Sequence, residues 1–137
     1  MFIPPISNQS NISFGYSHPL KTLWQRGKLP SVTHGLYGDK LTKKNCTLEH
    51  LKCYSYSKDN TLRNLTLATK YKNNLRSNED IRKYLTPKMA YKYLLQFKDV
   101  IVEHKNYILD GNMYIRMIIN TLEQLGLDLS KFHKKLL

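Results

Sequence analysis

The pattern of apolar residues from Leu41 onwards restricts the fold more than any other feature of this 137-residue chain. Residues 46–51 alternate between apolar and polar side chains and predict a short strand, whereas residues 52–61 are polar and predict a loop. Residues 64–69 predict a second strand, and residues 70–75 predict the start of a helix rich in Lys, Asn and Arg. Two strands and a helix within about 30 residues predict a small α+β unit, in which a hairpin folds back on the helix.

This unit divides the chain into an N-terminal arm (residues 1–40), a core (residues 41–85) and a helical region (residues 86–137), packed as one compact domain. Prolines and glycines interrupt every periodic pattern before residue 34, so we expect an irregular arm. The arm carries aromatic and basic side chains together: Phe14, Tyr16, Lys21, Trp24, Arg26 and Lys28. Such a mixture can stack on bases and touch phosphates, but we favour packing of the aromatic rings on the core.

Helix-capping signals follow the core. Residues 77–80 supply capping side chains ahead of a short helix through Leu85, and Thr86-Pro87 predicts an N-cap with proline at the first helical position. A third helix is predicted over residues 113–125, where apolar residues recur at spacings of three and four before Gly126. We therefore expect the C-terminal region to be helical throughout.

The chain is strongly basic, with 22 Lys and Arg against 10 Asp and Glu and a formal net charge of +12. Residues 41–85 hold ten basic and four acidic residues, a net charge of +6, so half of the excess lies in the predicted core. Such a surface attracts polyanions, and each phosphate that it neutralises releases counterions. Nucleic acid is the expected partner, although a ribosomal or virion component would carry a similar charge.

Cys46 and Cys53 are the only cysteines, too few for a four-cysteine zinc site. We expect two buried free thiols, as in a reducing compartment, with a disulfide between them as the alternative. No apolar stretch reaches the roughly 18 residues that a membrane span needs, and the N-terminus lacks the pattern of a secretory signal. These features predict a soluble, cytoplasmic protein without a membrane partner.

Four polar residues of the core have the types that phosphodiester hydrolysis needs. Glu49 and His50 are adjacent at the end of the first strand, Asn64 lies 14 residues after His50, and Asn73 lies 23 residues after it on the helix. Carboxylate and amide oxygens suit Mg²⁺, and a neutral imidazole can take a proton from an attacking water. Because neighbours on a strand point to opposite faces, we expect the strand to end here and to turn both side chains towards one site.

Three segments resemble, in order and spacing, the ββα-metal core of HNH (His-Asn-His) endonucleases: Thr47-Leu-Glu-His-Leu51, Arg63-Asn-Leu-Thr-Leu67 and Lys72-Asn-Asn-Leu-Arg-Ser-Asn78. The chain is similar to the His-Asn-Asn variant found inside CRISPR effector nucleases. The resemblance implies a DNA endonuclease that uses Mg²⁺ or Mn²⁺, needs no structural zinc, and leaves 5′ phosphate and 3′ hydroxyl ends. Free-standing enzymes of this type are scattered through phage and bacterial genomes.

The resemblance implies a role for each residue that occupies a functional position of the family pattern. It implies that Glu49 and Asn73 are metal ligands, that His50 is the general base, and that Asn64 braces the loop and the base. Asn74 and Asn78 are the alternatives to Asn73 if the helix is shifted by a turn. The basic residues expected to bind nucleic acid beside this site are Lys70, Lys72, Arg76, Arg82 and Lys83.

The loop departs from the family pattern Pro-x-Ser-x-Gly-Gly. Cys53 stands in place of the proline, Ser55 is kept, and no glycine occurs in residues 56–59. We therefore expect the loop to take a path that avoids positive φ. These departures support a rival hypothesis, an HNH-fold protein without turnover that acts in DNA binding or as a virion or packaging component. An RNA-binding protein of other ancestry is a third possibility, and it leaves the motif unexplained.

Overall fold

A computed structural model describes residues 19–137. These residues form helices and two small antiparallel sheets, which confirms the α+β class. In chain order the elements are α1 (Pro19–Gln25), β1 (Cys46–His50), α2 (Tyr54–Ser57), β2 (Leu65–Thr69), α3 (Lys70–Arg76), α4 (Pro87–Leu95), β3 (Ile101–His104), β4 (Tyr107–Asp110), α5 (Gly111–Gln124) and α6 (His133–Leu136). Short 3₁₀ turns cover Leu62–Asn64, Ile81–Lys83 and Ser130–Phe132. Across this part of the chain, no helix has the length and apolar character of a membrane span.

The expected hairpin and helix are present. β1 and β2 pair antiparallel, with Cys46 opposite Thr69 and His50 opposite Leu65. β2 leads directly into α3, because Thr69 ends the strand and caps the helix: its Oγ1 accepts a hydrogen bond from the Lys72 N–H at 3.3 Å. The second strand begins just after the 3₁₀ turn Leu62–Asn64, one residue later than the sequence predicts.

All five residues of β2 are buried, and other parts of the chain pair with the backbone along its outer edge. The Leu36 N–H donates to the Leu67 carbonyl at 2.8 Å. The Leu67 N–H donates to the Tyr93 hydroxyl at 2.9 Å, and the Tyr114 hydroxyl donates to the Leu65 carbonyl at 2.7 Å. Since buried backbone groups need partners, these tyrosines of α4 and α5 fasten the C-terminal region to the hairpin.

α4 and α5 begin where the capping signals predict. The Thr86 Oγ1 accepts from the Met89 N–H at 3.2 Å, and the Asp110 carboxylate caps the first turn of α5. Gly126 follows the end of α5 with a φ of 93°, a conformation that glycine adopts without strain. One face of α5 enters the hydrophobic core through Tyr114, Ile115, Ile118, Ile119 and Leu122.

The arm is less irregular than its prolines and glycines indicate. Residues 19–25 form α1, because Leu20 and Leu23 lie about one turn apart and both are fully buried. Trp24 packs against the core, as favoured from the sequence, and its Nε1–H donates to the Val32 carbonyl at 2.7 Å. Phe14 and Tyr16 lie outside the described residues.

The prediction of a wholly helical C-terminal region is wrong. β3 and β4 form an antiparallel hairpin with Val102 opposite Leu109, and its residues alternate between buried and more exposed positions. The helix expected through Leu85 is only a 3₁₀ turn over Ile81–Lys83. Thr86 precedes the proline and is extended as the N-cap of α4, so the segment does not continue as one helix into α4.

Candidate active site

Glu49 and His50 close β1 and differ in exposure. Glu49 is 3 % exposed, whereas His50 is half-buried. The strand stays regular through His50, which pairs with Leu65, so the two side chains leave the strand on opposite faces. The expected turn of the strand before His50 does not occur. The two groups are nevertheless close enough to interact, because the His50 imidazole is among the groups that lower the pKa of Glu49.

The Glu49 carboxylate has one engaged oxygen and one free oxygen. Its Oε2 accepts the Tyr37 hydroxyl at 2.6 Å and lies 3.5 Å from Nη1 of Arg76. Burial raises the pKa of Glu49 above its ordinary value, and the Tyr37 hydroxyl and the Arg76 guanidinium oppose that shift only in part. Within residues 19–137 no hydrogen bond reaches Oε1.

The His50 imidazole is held by a side chain of the following loop. Its Nε2 lies 2.7 Å from Oδ1 of Asn60. Because an amide oxygen can only accept, Nε2 carries the proton and Nδ1 is left as the basic nitrogen. The Tyr54 ring lies 5.3 Å from the imidazole, and Lys58 Nζ lies 5.3 Å from the Tyr54 ring. These contacts orient the imidazole with Nε2 as a hydrogen-bond donor to Asn60.

Asn64 holds the two ends of the loop together. It is fully buried. Its Oδ1 accepts the Lys52 N–H at 2.7 Å, and its Nδ2 donates to the carbonyls of Lys52 and Asp59 at 3.0 and 2.9 Å. These bonds fix the loop on both sides of α2 and position Asn60, the partner of His50. The bracing of the base that the resemblance implies for Asn64 stays a prediction.

Asn73 points its amide nitrogen at β1. Nδ2 donates to the Thr47 Oγ1 at 2.9 Å and to the Leu48 carbonyl at 3.0 Å. Since a carbonyl cannot donate, this bond fixes the orientation of the amide and leaves its Oδ1 without a hydrogen bond from any described residue. The alternatives fit less well: Asn74 is exposed, and Asn78 accepts the Cys53 thiol at 2.9 Å.

Arg76 is part of the site rather than of a DNA-binding surface. It is 3 % exposed, and its guanidinium donates to the carbonyls of His50 (2.6 Å), Leu51 (3.0 Å) and Glu79 (2.8 Å). With these donors engaged and the side chain buried, it cannot reach a phosphate in this conformation. The prediction that Arg76 binds nucleic acid is therefore corrected. Instead, Arg76 anchors α3 along β1, one turn after Asn73.

The other predicted cations lie at the surface. Lys70 is exposed at the start of α3, and Lys72 Nζ lies 3.9 Å from the Asp39 carboxylate. Arg82 and Lys83 pair with acidic neighbours at 2.7 and 3.8 Å, in both cases with side chains more than half exposed. Exposed pairs of this kind are weak, so a phosphate could replace the acidic partner, and these four stay predictions as DNA-binding residues.

The loop replaces the missing glycines with a helical turn. The turn α2 ends at Lys58, which has φ 53° and ψ 23° and whose N–H donates to the Tyr54 carbonyl. The expectation that this loop avoids positive φ is therefore wrong, since Lys58 adopts the left-handed conformation at some cost. Both cysteines are free thiols, as expected, but only Cys46 is buried, whereas Cys53 is partly exposed in the loop.

The residues present fit a magnesium site with few protein ligands. Glu49 Oε1 and Asn73 Oδ1 are hard oxygen donors that lack other partners, and Mg²⁺ commonly takes one or two protein oxygens together with water and substrate phosphate. Residues 19–137 hold no cluster of three or more His, Cys, Asp or Glu that could bind a metal.

Two side chains of the site were missed from the sequence. Tyr37 lies before the predicted core, and only the fold brings its hydroxyl to Glu49. Asn60 lies in a loop without periodicity, where no sequence pattern indicates that it contacts His50. The one available signal was its place between the two strand ends that the hairpin must bring together.

Residues 36–80 match a protein-family model described as HNH endonuclease. This match confirms the resemblance, and it covers Tyr37 together with the four residues predicted from spacing. No curated protein and no solved structure matches the chain. The segment that carries the site thus has a nuclease-type fold.

Proposed function

We propose that this protein is a metal-dependent DNA endonuclease, with residues 36–80 as its catalytic unit. The observation that carries the proposal is the pairing of His50 with Asn60. A 2.7 Å bond to the amide oxygen commits Nε2 as a donor and leaves Nδ1 as a base. The family match over the same residues supports hydrolysis of phosphodiester bonds as the reaction.

In the proposed reaction, His50 Nδ1 removes a proton from water while the water oxygen attacks phosphorus. The bond from phosphorus to the 3′ oxygen breaks, and the leaving oxygen takes a proton from solvent water, which leaves a 5′ phosphate and a 3′ hydroxyl. Asn60 Oδ1 keeps its hydrogen bond to Nε2 and favours the imidazolium that forms. Asn64 keeps Asn60 in place through the loop backbone.

Glu49 Oε1 and Asn73 Oδ1 would hold Mg²⁺ or Mn²⁺, because they are the free oxygen donors of the site. When bound, the metal would supply charge stabilisation at the scissile phosphate and the leaving oxygen. The net charge of +12 supports DNA as the substrate, since exposed lysines such as Lys58 and Lys70 attract phosphates.

A DNA-binding protein of the same fold without turnover is the second candidate, and the Glu49–Arg76 pair favours it. The guanidinium lies 3.5 Å from Oε2, with both side chains about 4 % exposed. Arg76 already compensates the charge of the Glu49 carboxylate. A metal ion bound to Glu49 would therefore be repelled by a cation that is already present. This candidate predicts DNA binding without cleavage.

The test compares two histidine variants on supercoiled plasmid with Mg²⁺. His50→Ala removes the base but no proposed metal ligand, so its cleavage rate should fall by about 10²–10⁴-fold while DNA affinity in EDTA stays unchanged. His104→Ala, in the separate β3–β4 hairpin, should cleave at the wild-type rate. A His50→Ala rate within threefold of wild type would refute the assignment of the base.

A further inference from the structure

We propose that Tyr37 is a positioning residue for Glu49: its hydroxyl holds Oε2, so that Oε1 is the oxygen presented to the metal. This inference rests on the proposed function, because it assumes that Glu49 is a metal ligand. The bond from the Tyr37 hydroxyl to Oε2 is 2.6 Å, and Tyr37 is 6 % exposed. Hydrogen bonds from neutral donors to a carboxylate at such distances are strong.

The turn that carries Tyr37 is anchored independently of α3. The Leu36 N–H donates to the Leu67 carbonyl of β2 at 2.8 Å. The Gly35 N–H donates to the Asp39 carbonyl at 2.8 Å, and the Gly38 N–H donates back to Gly35 at 3.0 Å. Tyr37 is therefore fixed to the hairpin through its own backbone neighbours, and its hydroxyl is directed at Glu49.

Two groups converge on the same carboxylate oxygen. Tyr37 contacts Oε2 at 2.6 Å, and Arg76 Nη1 lies 3.5 Å from it, whereas Oε1 receives no hydrogen bond from residues 19–137. A carboxylate without such contacts can rotate and exchange its two oxygens. Holding Oε2 removes that freedom before a ligand arrives, which lowers the entropic cost of binding through Oε1.

The hydroxyl of Tyr37 differs from those of the other buried tyrosines. Tyr93 accepts from the Leu67 N–H, and Tyr114 donates to the Leu65 carbonyl, so both satisfy the backbone of β2. Tyr37 has no backbone partner among the described residues for its hydroxyl, which contacts the site carboxylate and also interacts with the Arg76 guanidinium. Tyr37 and Tyr93 therefore form a matched pair, one at the site and one structural.

The experiment titrates the purified wild type, Tyr37→Phe and Tyr93→Phe with Mn²⁺ alone, following free Mn²⁺ by electron paramagnetic resonance. Tyr37→Phe should bind Mn²⁺ about 10–100-fold more weakly, the usual effect of removing a partner of a metal ligand. Tyr93→Phe should unfold at lower urea but bind Mn²⁺ like wild type. Equal affinity in Tyr37→Phe and wild type, equal loss in both variants, or no Mn²⁺ binding by the wild type would overturn the proposal.

The outcome separates this inference from the nuclease proposal. Weaker Mn²⁺ binding in Tyr37→Phe, with a wild type that cleaves no DNA, would support the positioning role and remove the catalytic function. Cleavage by the wild type, with unchanged Mn²⁺ affinity in Tyr37→Phe, would keep the nuclease and remove the positioning role.

Discussion

At the scale of single residues, buried polar side chains organise the candidate site. Asn64 and Arg76 are both almost fully buried, and between them they bond to backbone groups at both ends of the loop and at the end of β1. Neither residue needs to touch a substrate to matter. Each satisfies backbone groups that would otherwise be buried without partners, and each thereby fixes the position of a reacting group.

Asn64→Ala should lower both stability and cleavage. The change removes the partner of the Lys52 N–H and of the Asp59 carbonyl, whereas the Lys52 carbonyl keeps the Ser57 hydroxyl. It should cost about 1–3 kcal/mol of unfolding free energy, measured by urea denaturation. Cleavage by the folded fraction should fall as well, because the loop that holds Asn60 loosens. Asn74→Ala is the control: this exposed residue of α3 should change stability by no more than about 0.5 kcal/mol. Equal stability of the two variants would contradict the bracing role.

At the scale of elements, the sequence predicted the helix starts, because these depend on interactions between residues close together in the chain. The Thr86 and Asp110 caps lie within a turn of the N–H groups that they satisfy, so sequence patterns revealed the starts of α4 and α5. The β3–β4 hairpin was missed, because β-strands depend on a partner strand and the apolar residues beside it also suit a helix. The family resemblance singled out Glu49, His50, Asn64 and Asn73, which stay predictions as site residues, whereas Tyr37 depends on a contact that only the folded chain creates.

The 3₁₀ turn after α3 provides a pH-dependent prediction. Side-chain and backbone hydrogen bonds from Arg82 lower the pKa of Asp80 to about 2. A carboxylate with a lowered folded pKa stabilises the fold fully above its ordinary pKa near 4 and loses that effect as the pH falls towards 2. The Tm difference between wild type and Asp80→Asn should therefore shrink between pH 5 and pH 2.5.

The control for this titration is Glu103→Gln. Glu103 is exposed on β3 and has no ion pair within residues 19–137. Its Tm difference from wild type should change little over the same range. A wild-type advantage over Asp80→Asn that grows as the pH falls would contradict the sign of the shift.

At the scale of the whole molecule, core packing stabilises the fold, whereas the positive charge favours binding to polyanions. The tyrosines Tyr93 and Tyr114 join the C-terminal helices to β2, so the nuclease-type unit is stabilised by residues outside the family match. The excess positive charge instead lies at the surface, where it favours association with polyanions. The exposed lysines around the loop and the start of α3 are the ones closest in sequence to the site.

DNA binding should depend on position as well as on net charge. We expect Lys58→Gln/Lys70→Gln to lower the slope of log affinity against log salt by about two, since each phosphate contact contributes about 0.9. Lys131→Gln/Lys134→Gln removes the same charge from exposed positions near α6. It should leave the slope of log affinity against log salt close to that of the wild type. Fluorescence anisotropy on a duplex in EDTA provides the measurement. A larger loss in the second variant would place the DNA on the other side of the molecule.

The proposed metal-dependent cleavage of DNA is tested by the fate of supercoiled plasmid incubated with the wild-type protein. With Mg²⁺ or Mn²⁺ the protein should convert the plasmid to nicked or linear forms, and EDTA should stop the reaction while circular dichroism shows the fold unchanged, because the described residues hold no structural metal cluster. A wild type that leaves plasmid, single-stranded DNA and RNA intact with both metals, while still binding DNA, would contradict the claim and leave a nuclease-type fold that only binds.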